Sequence, residues 1–132
     1  MARLKKSEAR FLKSHTLSRL ATASLRDRMP HVVPVVHAMD DDDSPIIAID
    51  YGTKKLKNLR ENPKAALLVD DGEAQKCVMI QGECEVHERG AEYLRLLQIL
   101  FEKFDFYRDD PWGEGESPIL KIRPDKVVSW GV

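Results

Sequence analysis

Three lysines stand together near the start of the segment "YGTKKLKNLRENP", residues 51–63, and their position could give them a chemical task. The spacing of the leucines predicts a short helix over 53–61, with Thr53 in the N-cap position. The first turn of this helix then contains Lys54, Lys55 and Lys57. Each cation there costs about 0.3–1 kcal/mol, because the helix dipole already makes the first turn positive, and no acid follows until Glu61.

Two interpretations of these lysines are open. One is a solvated helix face, since lysine is mostly found at protein surfaces. The other is an anion site, in which backbone N–H groups, the Thr53 hydroxyl and the ammonium groups of Lys54 and Lys55 hold a phosphate. The segment is not a P-loop, because Gly52 is the only glycine of that motif present. A bound phosphate would turn the electrostatic penalty into stabilisation.

A proline inside an apolar strand is the second unusual feature. Pro34 lies within "HVVPVVH" (31–37), although proline cannot donate to a sheet ladder. Either this is an edge strand, or the ladder is interrupted where a ligand meets the backbone. His31 and His37 would share one face because their spacing is even. There are two interpretations of these histidines. Either they are structural or surface residues, or they contact a ligand.

Other residues that could bind metals do not have the required spacing. The run Asp40–Asp43 fails the EF-hand pattern, because the sixth and twelfth positions hold Pro45 and Tyr51, and so it predicts a solvated turn. Cys77 and Cys84 lie about 23 Å apart if they share one straight strand, too far for a disulfide. Neither cysteine has a histidine at zinc-site spacing. We therefore expect reduced cysteines and no metal site.

The composition limits the class of protein. A chain of 132 residues fits a single domain (1–132), with 42% hydrophobic and 33% charged residues. The net charge of −1 argues against a nucleic-acid-binding surface. No apolar run reaches the roughly 20 residues that span a bilayer, and the first residues do not resemble a secretory signal. We expect a cytoplasmic protein that binds neither nucleic acid nor membrane.

The elements that must position these residues are mostly short strands. Alternating and β-branched patterns predict strands at 19–25, 31–39, 46–50, 64–70 and 77–87, with a possible bulge at Gly82, and two short strands over 119–131 broken at Pro124. Helices are predicted at 6–16, 53–61 and 88–104. The last should bury a stripe made of Leu94, Leu97, Phe101 and Phe104. The pattern indicates a mainly β barrel or sandwich with flanking helices.

The order of these pieces resembles one known family, the pyridoxamine 5′-phosphate oxidase-like FMN-binding split barrels. The resemblance is carried by "RLATAS" (19–24), "PHVVPVVHAMD" (30–40), "IIAIDYGTKKLKNLRENPKAALLVDD" (46–71), "VMIQGECEVH" (78–87) and "IRPDKVVSWG" (122–131). The sequence looks closest to a small subgroup associated with FMN or the deazaflavin F420. The resemblance implies a six-stranded antiparallel split β-barrel of Greek-key type. It also implies a homodimer, with a cofactor bound at the subunit interface.

The resemblance assigns cofactor-binding roles to particular residues. The family's phosphate-gripping turn corresponds here to Gly52, Thr53, Lys54 and Lys55, which coincide with the anion site inferred from the helix dipole. The ring system would lie along Val32, Val33, Pro34, Val35 and His37, and the next strand would contribute Ala48 and Ile49. Cys77 stands where oxidase members often carry a polar side chain, and Trp130 would reach the cofactor held by the partner.

The resemblance also leaves several functions open. The expected function is an FMN-dependent oxidoreductase acting on a small molecule, for which no catalytic residue is named. The alternatives are an F420-dependent reductase and a non-catalytic flavin- or haem-binding protein, with His31 or His37 as a haem ligand. The C-terminal tryptophan, arginine and histidine motif that grips pyridoxal phosphate in the oxidase is not present, so vitamin B6 oxidation is not expected.

Overall fold

The computed structural model describes residues 2–132, which form seven strands and four helices. The strands are β1 (Leu17–Ala23), β2 (Pro30–Val36), β3 (Ala38–Met39), β4 (Pro45–Ala48), β5 (Lys64–Asp71), β6 (Lys76–His87) and β7 (Ile119–Trp130). The helices are α1 (Lys6–Ser14), α2 (Lys54–Glu61), α3 (Ala91–Lys103) and α4 (Asp105–Asp109). The mainly β fold with flanking helices is therefore confirmed.

The seven strands form one antiparallel sheet in the order β2-β1-β5-β6-β7-β4-β3. Its two end strands, β2 and β3, are separated in the chain only by His37, so the backbone itself joins the two ends of the curled sheet. This is the split barrel that the resemblance implies. The expected count of six strands is wrong because the strand predicted at 31–39 changes its pairing partner at His37, from β1 to β4.

The longest pairing in the sheet, between β6 and β7, contains the bulge. Gln81 pairs with Lys126 while Gly82 pairs with Pro124, which leaves Asp125 as the extra residue. The bulge thus lies on β7, opposite the glycine that suggested it. The predicted break at Pro124 is wrong, because the bulge lets the strand continue. A side chain at Gly82 would overlap the carbonyl oxygen of Arg123, so this close approach requires glycine.

Two apolar clusters lie on the two faces of the β3-β4-β7 part of the sheet. Ile47 and Leu120 point into the barrel interior, while their neighbours Ile46 and Ile119 point to α3. The buried residues of α3 are Tyr93, Leu96, Leu97 and Leu100. Of the predicted stripe, Leu97 and Phe104 are buried and Phe101 packs against the same cluster, whereas Leu94 is 47% exposed. The helix also begins three residues later than predicted.

The acidic turn at residues 40–43 is not simply solvated, because Asp40 is buried. Its carboxylate accepts two hydrogen bonds of 2.7 Å from Arg95 on α3 and one of 2.7 Å from the buried Lys121 on β7. Lys121 also lies 2.9 Å from Asp42. These ion pairs fasten α3 to the sheet. Within residues 2–132, no helix is both long and apolar enough to cross a bilayer.

Candidate functional site

A cleft of about 640 Å³ opens between the barrel and the segment that follows α3. One side is formed by the ends of β2 and β4, with Pro34–Val36 and Ala48–Asp50. The other side is formed by α4 and the loop after it. Lys55 reaches the cleft from the start of α2. Pro34 is tolerated here because β2 pairs only with β1 and is thus an edge strand up to Val36.

The first turn of α2 is left without a side-chain cap. Gly52 has a φ of 79°, a left-handed conformation that turns the chain sharply into the helix. Thr53 occupies the predicted N-cap position, but its hydroxyl donates to the Asp50 carbonyl at 3.1 Å instead of accepting from the helix. The first intrahelical bond runs from the Lys57 N–H to the Thr53 carbonyl. Within residues 2–132, no side chain caps the three N–H groups before it, which leaves them available to a ligand.

The structure divides the three lysines between two hollows. Lys55 faces the cleft, whereas Lys54 and Lys57 line a neighbouring hollow on the outer side of α2, together with Thr53 and Arg60. In that hollow Arg60 is paired with Glu88 at 2.9 Å. Among residues 2–132, no carboxylate lies within ion-pair distance of the three lysines: Lys54, Lys55 and Lys57. None of the three lysines is therefore in a salt bridge within this part of the chain.

An aromatic wall faces the strands across the cleft. It consists of Phe106, Tyr107 and Trp112. The ring of Tyr107 stands at 90° to that of Trp112 and at 67° to that of Phe106, each with centroids 4.7 Å apart. The Trp112 indole N–H donates to the hydroxyl of the buried Tyr93 at 2.9 Å. The wall is therefore held in place by the helix beneath it.

His37 does not line the cleft. Its fully buried ring lies under α1, where Nε2 is 2.8 Å from the Leu12 carbonyl and Nδ1 is 3.1 Å from the Ser18 hydroxyl. Burial lowers the pKa of His37 to about 4, so the ring is neutral. Both nitrogens are occupied by chain groups. The structure thus contradicts the expectation that this side chain contacts a cofactor ring or a haem iron.

The other predicted site residues fall into separate groups. Those that line the cleft are Pro34, Val35, Ala48, Ile49 and Lys55. Val33 is only half-buried and does not line it, while Val32 points outward and is 64% exposed. His31 is half-buried, and its Nδ1 has no hydrogen-bond partner within residues 2–132.

Cys77 and Trp130 lie far from this cleft in the same chain. They pair with each other across β6 and β7. Trp130 is separated from Ile119, the β7 partner of Ala48, by about 36 Å of strand at ~3.3 Å per residue. The Cys77 thiol is buried, which raises its pKa, whereas Trp130 is 60% exposed. Neither residue lines the cleft of its own chain, so their predicted cofactor contacts stay predictions.

With this geometry established, comparison with known proteins identifies the family. The family model described as pyridoxamine 5′-phosphate oxidase matches residues 4–131. The chain belongs to this family. A search of curated proteins gives no match.

Solved structures support the family's fold. The conserved hypothetical protein Rv2991 from Mycobacterium tuberculosis has a TM-score of 0.79 at 21% identity, covering 97% of this chain and 85% of that one. HutZ, the haem storage protein from Vibrio cholerae, has 0.78 at 18%, covering 96% and 94%. A candidate pyridoxamine 5′-phosphate oxidase from Lactobacillus delbrueckii has 0.74 at 18%, covering 96% and 93%. At these identities the likeness concerns the fold alone.

The part of the cleft that sequence reasoning missed is its aromatic wall. The pyridoxamine 5′-phosphate oxidase motifs quoted above end before residue 88 and resume at 122, so they pass over the wall. The signal was present as three aromatic residues in seven positions of "FYRDDPW" (106–112). Periodicity did not reveal it, because α4 is only five residues long.

Proposed function

We propose that this member of the pyridoxamine 5′-phosphate oxidase family is an FMN-binding oxidoreductase acting on a small molecule. The observation that supports this most directly is the start of α2, with free N–H groups and no acid in its first turn. Lys55 extends from that turn into a cleft that is otherwise largely apolar on its strand side. An uncapped helix start with an unpaired cation suits a phosphate.

The residues present fit the two ends of a flavin nucleotide. The N–H groups of the first turn and Lys55 would bind the phosphate. Pro34, Val35, Ala48 and Ile49 would pack against the ring, which carries the hydride transfer when bound. The wall opposite limits access of water. The chain's own contribution is therefore binding, orientation and exclusion of solvent, and no protein acid or base is assigned.

Equilibrium titration with FMN tests this assignment. Lys55→Ala should weaken FMN binding by about ten- to thirtyfold, since a hydrogen bond to a charged group contributes about 1.5–2 kcal/mol. The matched control is Lys57→Ala, which removes the same charge from the same helix but faces the other hollow. Equal FMN affinity in wild type and Lys55→Ala would contradict the proposal.

F420 is the alternative cofactor, because it also places a phosphate beside a ring of flavin shape. The absorption spectrum of the protein purified from its source, with mass spectrometry of any released cofactor, distinguishes the two. If a deazaflavin is bound in preference to FMN, the proposed anion site stands, but the cofactor chemistry assigned to the cleft changes.

A haem-binding role is the second candidate, favoured by the similarity to HutZ. The geometry supports it less well, because no histidine lines the cleft and His37 has no free nitrogen. His31 has an unpartnered ring nitrogen and would be the ligand to test. A sharp Soret band on haem addition that is lost in His31→Ala would replace the flavin proposal with this one.

We also propose that the chain forms a homodimer through the outer face of its sheet. The register brings Leu68, Met79 and Val128 into one apolar row across β5, β6 and β7, next to the exposed Trp130. Exposed apolar patches of this kind mark interaction sites. A second copy docked there could place its Trp130 against the first copy's cleft, completing the set of predicted site residues.

Analytical ultracentrifugation tests the dimer. The wild type should sediment as a dimer at micromolar concentration, and Val128→Glu should shift it to monomer, because a carboxylate would be buried in the interface. Leu94→Glu is the control, since Leu94 is exposed on α3 and is not part of this apolar row. A wild-type monomer at that concentration would contradict the proposal.

A further inference from the structure

The cleft carries a charge pattern that the proposed cofactor does not explain. Besides Lys55, its charged lining residues are Asp50, Asp110 and Glu116. Once a phosphate neutralises Lys55, three carboxylates remain around the rest of the cleft. A negatively charged substrate would be repelled there, because Coulomb interactions are strong in a partly desolvated site.

The aromatic wall also favours a cation over an anion, through a different interaction. Phe106, Tyr107 and Trp112 all line the cleft, and the ring of Tyr107 is steeply inclined to each of the other two. The face of each ring carries negative electrostatic potential, and cations bind favourably against such faces. Burial, with the nearby Asp50, raises the pKa of Tyr107, so that ring stays a neutral phenol.

Hydrogen bonds hold one ring of the wall, that of Trp112, in position. Trp112 is fixed by its hydrogen bond to Tyr93, whose hydroxyl in turn donates to the Ser117 carbonyl at 2.6 Å. The Ser117 hydroxyl donates to the Ile49 carbonyl at 2.5 Å, which ties the wall to the strand side. A preorganised wall loses little conformational entropy on binding.

From these two independent features we propose that the aromatic side of the cleft is a subsite for a planar organic cation, such as a substrate carrying a quaternary or protonated ring nitrogen. As a statement about the substrate it rests on the proposed oxidoreductase function. The cation would lie against the wall formed by Phe106, Tyr107 and Trp112. Asp110 and Glu116 would supply the opposite charge.

Three ring probes of similar size test the subsite. A methylpyridinium carboxamide, nicotinamide and nicotinate are cationic, neutral and anionic, and each is titrated calorimetrically into the FMN-saturated protein. The cation should bind roughly tenfold or more tightly than nicotinate, with nicotinamide between them. Equal binding, tighter binding of nicotinate, or no binding of any probe would overturn the proposal.

Paired variants identify the groups responsible. Asp110→Asn combined with Glu116→Gln should reduce the cation preference to below about threefold, because the carboxylates supply most of the charge selectivity. Asp109→Asn removes the same charge one residue away, at an exposed position outside the lining, and should leave the preference intact. Phe106→Leu should weaken the cation more than the neutral probe. An unchanged preference in the double variant would overturn the proposal.

The proposed function and this inference are tested by separate measurements. FMN affinity is measured first, without probes. If FMN does not bind, the oxidoreductase assignment is lost, and the same three probes titrated into the cofactor-free chain still measure the cation preference of the wall.

Discussion

Two regions of this molecule concentrate charge, and they treat it in opposite ways. Around Asp40 every buried charge is paired within the chain, with Arg95 and Lys121 each 2.7 Å from its carboxylate. At the start of α2 three lysines crowd a helix end that is already positive, and no carboxylate of residues 2–132 pairs with them. The first region is paired internally, whereas the three lysines of the second form no salt bridge within residues 2–132 and are available to an anionic ligand.

The difference separates charge that holds the fold from charge that is available to a ligand. The hydrogen bond from Arg95, and then that from Lys121, keep the pKa of Asp40 well below its usual range. This carboxylate therefore stays ionised and clamps α3 to β7. The lysines of α2 make no comparable contact, so their removal should affect binding far more than folding.

The largest expected effect is the loss of the buried clamp. Asp40→Asn should lower the free energy of unfolding by about 3 kcal/mol, because it leaves the buried Lys121 with only Asp42 as a counter-charge. Denaturant unfolding of both proteins measures the difference. In the control Asp41→Asn, an exposed neighbour loses the same charge, and the change should stay within about 0.5 kcal/mol. If Asp40→Asn is no more costly than Asp41→Asn, the two charged regions do not differ as described.

His37 represents a third arrangement, a buried group kept neutral instead of paired. Its folded pKa, lowered to about 4 mainly by desolvation, lies below the ordinary value of 6.5. Between these pH values the unfolded chain binds a proton that the folded chain does not. The stability that depends on neutral His37 is therefore fully present above pH ~6.5. Towards pH 4 the free energy of unfolding falls by up to about 1.4 kcal/mol per pH unit.

Unfolding free energies measured from pH 7.5 to pH 4 test the sign and the slope. The neighbouring side chains of Lys103 and His15 also lower the pKa of His37, in the same direction as burial. His37→Gln should flatten the curve in this window, because it removes the titrating ring. A variant curve as steep as that of the wild type would assign the pH dependence to another group.

The smallest expected effect concerns the lysines themselves. In the absence of ligand, Lys54→Gln should stabilise the fold by about 0.3–1 kcal/mol, since it removes a cation from the positive end of α2. Thermal unfolding at low salt measures the change. Lys126→Gln, at an exposed strand position, is the control and should have no measurable effect. Destabilisation by Lys54→Gln would show that its charge serves the fold, as that of Lys121 does.

Much of the fold could be predicted from local patterns. The strands from β1 to β6 occur close to their predicted positions because alternation and turn residues are local signals. The errors arise where distant contacts decide. Leu94 is exposed although it fits the helical period, since the sheet beneath α3 is contacted by the adjacent Tyr93 and by Leu97. Pro124 lies inside a strand because the bulge opposite Gly82 accommodates it.

The candidate site was predicted less completely than the fold. Lys55, Pro34 and Ile49 line one cleft, while Lys54 turns to the other side of α2, and the cofactor-binding roles of these residues stay predictions. His37 was misassigned because its even spacing from His31 says which face it shares but not that α1 covers that face. The aromatic wall was not predicted, because short irregular segments have no repeating hydrophobic pattern.

Neighbouring residues and short motifs were enough to predict a mainly β fold, the family, and the excess of positive charge at the start of α2. Which charges are paired depends on contacts between distant parts of the chain, and so it became visible only in the folded molecule. Asp40 and Lys121 are 81 residues apart in the chain, and their pairing depends on the curl of the sheet that brings them together. The same packing places Phe106 opposite Pro34 and so forms the cleft.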